Sequence, residues 1–221
     1  MFADRVCAGQ RLAQELIRFE EVKPCVLALP RGGVPVAFEI AKLLRAPLDL
    51  LIVRKLGAPN QPELAIGAVT DGQHPTYTLN DDIVKMLQVS EAYIAAEGAR
   101  QIKEIERRRK TYLLGRPLID IAGRTAIIVD DGIATGATVR AGIRGAQRAR
   151  PSQLVLAVPV APVDTIAALR REVDEIICLE SHVNFQAISL YYEDFPQVGD
   201  DEVRNLLSEA RAWLPHGIDA P

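Results

Sequence analysis

Strand-like apolar runs alternating with helical patterns predict an α/β protein, a Rossmann-like, mostly parallel sheet with helices on both faces and a small C-terminal extension. Three observations carry this reading. The runs CVLAL (25–29), LDLLIV (48–53), TAIIV (125–129), LVLAVPV (154–160) and EIICL (175–179) are almost continuously apolar, as strands covered on both faces are. Segments with helical spacing separate several of them. Glycine-containing turns follow the strand ends, where open parallel sheets hold their ligands.

Taken in order, residues 4–19 read as a helix with Val6, Leu12, Leu16 and Ile17 facing inward. CVLAL follows as a strand, broken by Pro30, Arg31, Gly32 and Gly33. A helix then starts at Val34, completing a strand–turn–helix unit. LDLLIV is the second strand. Residues 54–64 (RKLGAPNQPEL) have the composition of a long loop. AIGAV (65–69) and PTYTL (75–79) read as strands joined by a turn, and residues 81–112 as helical. TAIIV is the clearest strand; it leads through DDGIATGAT into a helix, VRAGIRGAQRA. Two further strands, LVLAVPV and EIICL, flank a helix near 163–171. The tail is richer in aromatics and ends in a helix near 200–213. Residues 1–180 thus read as one core, with a helical insertion at about 81–115, and 181–221 as a tail that is not an independent domain.

Composition narrows the function. The 221 residues carry a net charge of −3, so no global attraction to nucleic acid or an anionic membrane is expected, and any anion site must be built locally. The three cysteines, Cys7, Cys25 and Cys178, are widely spaced and form no CxxC pair, which gives no disulfide framework or thiolate metal site. No apolar run is long enough to span a bilayer, and the N-terminus has no signal core, so a cytoplasmic location is expected. His74, His182 and His216 show no metal-ligand spacing.

The segment from Val129 to Thr138, VDDGIATGAT, carries the chemistry. A buried strand ends in Asp130 and Asp131. Gly132 and Gly136 allow a tight turn with exposed amides. Thr135 and Thr138 add hydroxyls, and the next helix presents its positive end. This is a phosphate cradle. Two carboxylates beside a phosphate would repel it, so they must face a diol or a cation. A molecule with a phosphate at one end and vicinal hydroxyls nearby, such as ribose 5-phosphate, fits. A Walker A loop is excluded because Ala137, not lysine, follows Gly136, and no GxGxxG fingerprint occurs.

VDDGIATGAT resembles the ribose-phosphate-binding signature of the type I phosphoribosyltransferase family, and the wider likeness runs from about residue 25 to 179. The resemblance implies that family's fold, a C-terminal hood over the site, and a ligand, 5-phosphoribosyl 1-diphosphate (PRPP), used with Mg²⁺. It assigns Asp130 and Asp131 to the ribose hydroxyls, and to the metal through those hydroxyls or water. Gly132, Ala134, Thr135, Gly136, Ala137 and Thr138 are assigned to the ribose 5-phosphate. Arg31, Gly32 and Gly33 resemble the diphosphate loop, in which glycines admit the ligand and arginine supplies a fork of donors. Arg54 and Lys55 form a cation pair suited to the leaving diphosphate, and residues 56–65 resemble the mobile catalytic lid. Asp130, Asp131, Arg54 and Lys55 are the expected catalytic residues.

The function implied is transfer of ribose 5-phosphate from PRPP to a nucleobase or related small nitrogenous acceptor, with Asn184, Phe185 and Tyr191 of the hood as candidates to hold it. Homodimers are expected, and neither nucleic acid nor membrane as partner. The alternative on the same fold is a non-catalytic sensor of PRPP or a nucleotide. The intact lid and cation pair favour the enzyme.

Overall fold

A computed structural model describes residues 1–72 and 75–211. In chain order the strands are β1 (Cys25–Ala28), β2 (Leu48–Leu50), β3 (Val53–Ala58), β4 (Gln61–Thr70), β5 (Thr76–Leu79), β6 (Thr125–Val129), β7 (Gln153–Pro162) and β8 (Glu175–His182). The helices are α1 (Arg5–Leu16), α2 (Gly33–Leu44), α3 (Asp81–Met86), α4 (Glu91–Leu113), α5 (Ala137–Arg148), α6 (Val163–Leu169) and α7 (Asp200–Glu209).

Strand burial explains the main sheet, which runs β2-β1-β6-β7-β8 with every pairing parallel. Successive side chains of β1 and β6 enter opposite layers. Val26, Ala28, Ile127 and Val129 pack with residues of α1, α2 and α7, whereas Leu27, Ala126 and Ile128 pack with residues of α5 and α6. Each buried Ile or Leu contributes roughly 1.5–3 kcal/mol, so both layers pin the short β6 just before its two aspartates. Ile128→Ala, which removes one pin, is expected to cost about 2–5 kcal/mol.

Residues 54–64 correct the sequence reading. They are not an irregular loop but most of a hairpin, part of an antiparallel three-stranded sheet, β3-β4-β5. Ala58 pairs with Gln61, so the turn is Pro59-Asn60, with Asn60 at φ 62°. Proline followed by a residue at positive φ is a type II turn pattern. The alternation of a strand is obscured in the sequence by Gly57 and by the register shifts beside it. This sheet rests on α4 through Tyr93, whose hydroxyl donates to the Gly57 carbonyl (3.1 Å), and on α5 through Thr70, whose hydroxyl donates to the Ala141 carbonyl (2.9 Å).

Smaller corrections follow the same physics. The first helix stops at Leu16 and continues as a 3₁₀ helix, Ile17–Val22; Val6 and Ile17 face outward, and the buried stripe is Arg5, Ala8, Leu12, Ala13 and Leu16. The helical region after β5 splits into α3 and α4 because each has its own cap, Asn80 accepting from the Ile83 amide and Ser90 from the Tyr93 amide. Long α4 is tied to the sheets by Arg109, which donates to Asp49 of β2 (3.1 Å) and to Asp71 (2.6 Å) just after β4. Burial pushes the Asp71 carboxyl up to about 6, although Arg109 pulls the other way.

The N-terminus meets the tail at Tyr191 and Tyr192. The Phe2 amide donates to the Tyr191 carbonyl (2.8 Å), and the Phe2 ring lies 5.4 Å from that of Tyr192. The tail therefore folds over the C-terminal ends of the central strands, anchored by the N-terminus. His74, Trp213 and His216 lie outside the described residues. Among the described residues, no helix is long and apolar enough to cross a membrane.

Candidate functional site

The site grows from the end of β6. Val129 is fully buried, and the chain then turns so that the Asp130 carboxylate accepts the Asp131 amide (2.9 Å). The loop returns to the sheet through the Ile133 amide, which donates to the Val160 carbonyl (2.9 Å). Gly136 caps α5 in the left-handed region, at φ 76°, a conformation that suits glycine. The Arg140 amide makes the first α5 bond, to the Gly136 carbonyl (2.8 Å), so the amides of 137–139 precede the helical ladder. Ala134, Thr135, Ala137 and Thr138 are exposed around them. A rim of amides and hydroxyls at a helix N-terminus is suited to an anion.

The turn after β1 packs directly on this loop. A Cβ at Gly32 would stand 2.1 Å from Asp131 Oδ2, and one at Gly33 would stand 2.7 Å from the Val129 carbonyl oxygen. Only glycine lets the two turns approach so closely. The Pro30–Arg31 peptide is cis, and the Arg31 guanidinium reaches Asp200 at the start of α7 (3.3 Å), whose carboxylate also accepts the Tyr112 hydroxyl (2.8 Å). Arg31, Gly32 and Asp131 line an open cleft of about 370 Å³, closed on its far side by residues 195–198.

Electrostatics single out the two aspartates. Burial, and then the charge of Asp131, push the Asp130 carboxyl well above the usual carboxylate range. Burial also pushes Asp131 up, opposed by the Arg5 guanidinium. Two adjacent buried carboxyls are costly to ionise together, and a cation or hydroxyl donors placed beside them would favour their charged form. Among the described residues, no group of three or more His, Cys, Asp or Glu side chains forms a metal cage. The donor set instead fits Mg²⁺ carried with a phosphorylated ligand, since Mg²⁺ keeps waters and takes one or two carboxylates plus phosphate oxygens.

The sequence-derived site is thus brought together at Asp130, Asp131, Gly132, Ala134, Thr135, Gly136, Ala137 and Thr138, with Arg31, Gly32 and Gly33 beside it. The expected Arg54–Lys55 cation pair is not formed as one unit. Both lie on β3, whose neighbouring side chains point to opposite faces. Arg54 turns to α4, where its Nε donates to Gln101 (3.0 Å) and where burial and the charge of Arg108 lower its pKa. Lys55 is on the other face, where it lines one groove with Thr138 and Arg140, and it donates to the exposed Glu63 carboxylate (3.0 Å). The acceptor candidates are not among the residues lining the Asp131 cleft. Phe185 and Tyr191 stack on each other (5.0 Å), Tyr191 stacks on His182 (4.4 Å), and Asn184 is exposed.

The sequence matches the family model for a phosphoribosyl transferase domain over residues 4–194. The chain belongs to the phosphoribosyl transferase family. Two proteins of Mycobacterium tuberculosis, from strains H37Rv and CDC 1551 and provisionally named as phosphoribosyl transferases, are 46% identical over 210 residues, covering 95% of this chain and 47% of theirs. The chain therefore spans about half the length of those relatives. A ribose-phosphate pyrophosphokinase of Parasynechococcus marenigrum is 31% identical over 150 residues, 64% of this chain and 44% of its own. The crystal structure of TT1426 from Thermus thermophilus matches with TM-score 0.81 and 38% identity over 95% of this chain and 98% of its own.

Sequence reading of this chain missed Arg5, Tyr192 and Phe195. Arg5 Nε donates to Asp131 Oδ2 (2.8 Å), and the Tyr192 hydroxyl to the Asp131 carbonyl (2.6 Å). The Arg5 guanidinium also lies 3.7 Å from the Phe195 ring centre. One signal was available: Arg5 falls on the buried stripe of α1, three residues before Ala8 and seven before Leu12, where a cation needs a partner.

Proposed function

We propose that this chain transfers the 5-phosphoribosyl group of PRPP to a small nitrogenous acceptor and releases diphosphate. The observation that carries this is the contact of two turns: Gly32 lies against the Asp131 carboxylate, so a ribose held at Asp130 and Asp131 would have its C1 substituent beside Arg31. The 5-phosphate would lie on the amides and hydroxyls of 134–138. In this reading residues 1–180 are the transferase core, with 81–115 its helical insertion, and 181–221 the hood.

The chain's own groups divide the work. Asp130 and Asp131 accept the ribose hydroxyls through charge-assisted hydrogen bonds, roughly 1.5–3 kcal/mol each. Their charge also favours the cationic character that a sugar ring gains as its C1–O bond loosens. Arg31 and Lys55 stabilise the charge of the departing diphosphate. Mg²⁺, held by Asp130 and Asp131 through ribose hydroxyls or water, would neutralise phosphate charge when bound. The β3–β4 hairpin, with Lys55 on its inner face, supplies the cover. We assign the active form to a cytoplasmic homodimer, testable by sedimentation and fractionation.

The test is calorimetric titration with PRPP, with and without Mg²⁺, alongside diphosphate release against a panel of bases and small amines. Magnesium-dependent binding with release on one acceptor is expected. Binding without release on any acceptor would replace the transferase with a sensor.

A further inference from the structure

Arg5 has no counterpart in the ribose-phosphate signature, yet it reaches the buried carboxylate of Asp131. It comes from the first turn of α1, 126 residues from Asp131 in sequence. Both residues are 8% exposed. Beyond Asp131, Arg5 donates through Nη1 to the Pro196 carbonyl (2.7 Å) and stacks on Phe195. One guanidinium therefore joins the N-terminal helix, the ribose loop and the hood.

Three features distinguish this from an ion pair that merely staples the fold. The pair lines the ligand cleft together with Arg31 and Gly32, at the edge of the small apolar cluster that includes Tyr192 and Phe195. Its acid is one of the two side chains assigned to the ribose hydroxyls. Its remaining contacts go to the segment that closes the cleft. A planar fork held by a stacked ring and a carbonyl presents its Nε–H in one direction, which fixes the carboxylate it meets.

We infer that Arg5 is a positioning residue for ribose recognition: it orients the Asp131 carboxylate toward the sugar hydroxyls, and Phe195 and Pro196 hold Arg5 in place to do so. The N-terminal helix is then part of the substrate site. This rests on the proposed PRPP reading and deepens it. Ligand groups that Asp131 does not touch, above all the diphosphate, must be indifferent to Arg5.

The experiment compares ribose 5-phosphate with diphosphate by calorimetry, both without Mg²⁺ so that no ion links the diphosphate to Asp131, for the wild type and for Arg5→Met, Arg5→Lys and Phe195→Ala. It is run at low temperature, where circular dichroism shows each variant folded. Arg5→Met is expected to weaken ribose 5-phosphate about tenfold or more, the factor carried by one lost charge-assisted hydrogen bond, and to leave diphosphate within about twofold. Arg5→Lys should recover part of the loss, and Phe195→Ala should reproduce part of it. If Arg5→Met fails to fold, Arg5→Lys and Phe195→Ala decide by the same comparison. Equal weakening of both ligands, or of neither, in the folded variants would overturn the inference and leave the PRPP reading standing. A wild type that binds neither ligand would overturn the PRPP reading itself.

Discussion

Replacing Gly32 with alanine tests the contact on which the site depends. The new Cβ would stand 2.1 Å from Asp131 Oδ2 and 2.6 Å from its Cγ, where ordinary contact needs over 3 Å. Something must move by about 1 Å. Asp131 is gripped by Arg5 at 2.8 Å, and the chain below it is pinned by Val129 in the core, so neither turn yields freely. Overpacking of this kind costs roughly 1–3 kcal/mol, which for a chain of this size is about 2–12 °C in Tm. A misplacement of about 1 Å at a reacting centre costs on the order of 100-fold in rate. Gly32→Ala should therefore lower kcat/KM far more than its modest loss of Tm suggests. The control is Gly199→Ala, where an added Cβ meets nothing within 4 Å; it should change Tm by at most a degree or two and activity little. Scanning calorimetry and diphosphate release measure both. Unchanged activity in Gly32→Ala would refute the packing of the two turns as the basis of the site.

Other outcomes follow from the same geometry. Lys55→Met should lower kcat/KM about tenfold or more, whereas Arg54→Met, facing Gln101, should lower Tm and leave kcat/KM nearly unchanged; steady-state kinetics beside melting curves check the split. Gly136→Ala should cost about 1–2 kcal/mol for the left-handed backbone, and its Cβ, 2.9 Å from Thr165 Cγ2, should weaken inorganic phosphate binding as followed by calorimetry. Asp71 titrates at about 6 when folded, against about 3.9 in an unfolded chain. Its contribution is fully present below the unfolded value and lost as pH rises through about 6. Denaturant curves should therefore show wild type losing roughly 3 kcal/mol relative to Asp71→Asn between about pH 4 and pH 7; a difference constant with pH would contradict the burial argument.

The central sheet was legible because its strands are buried on both faces: after Thr125 every residue of TAIIV is apolar, and β6 spans those five residues, all buried. The ribose loop was legible because its chemistry is contiguous, from Asp130 to Thr138. The β3–β4 hairpin was not, because Gly57, Pro59 and Pro62 read as loop punctuation while the pairing that overrides them comes from β4 and from the α4 and α5 faces. That error carried over to Arg54 and Lys55, which are neighbours in a loop reading and opposites on a strand. Arg5 was hidden for a different reason. A cation near a helix start reads as solvated, and its partner lies 126 residues away, a distance local pattern does not bridge.

A crystal structure of this chain with Mg²⁺ and PRPP tests the central claim most directly. The account predicts ribose hydroxyls within hydrogen-bond distance of Asp130 and Asp131, the 5-phosphate on the amides of 134–138, and diphosphate oxygens at Arg31. A ribose bound away from Asp130 and Asp131, with the Gly32 turn untouched by the diphosphate, would contradict it.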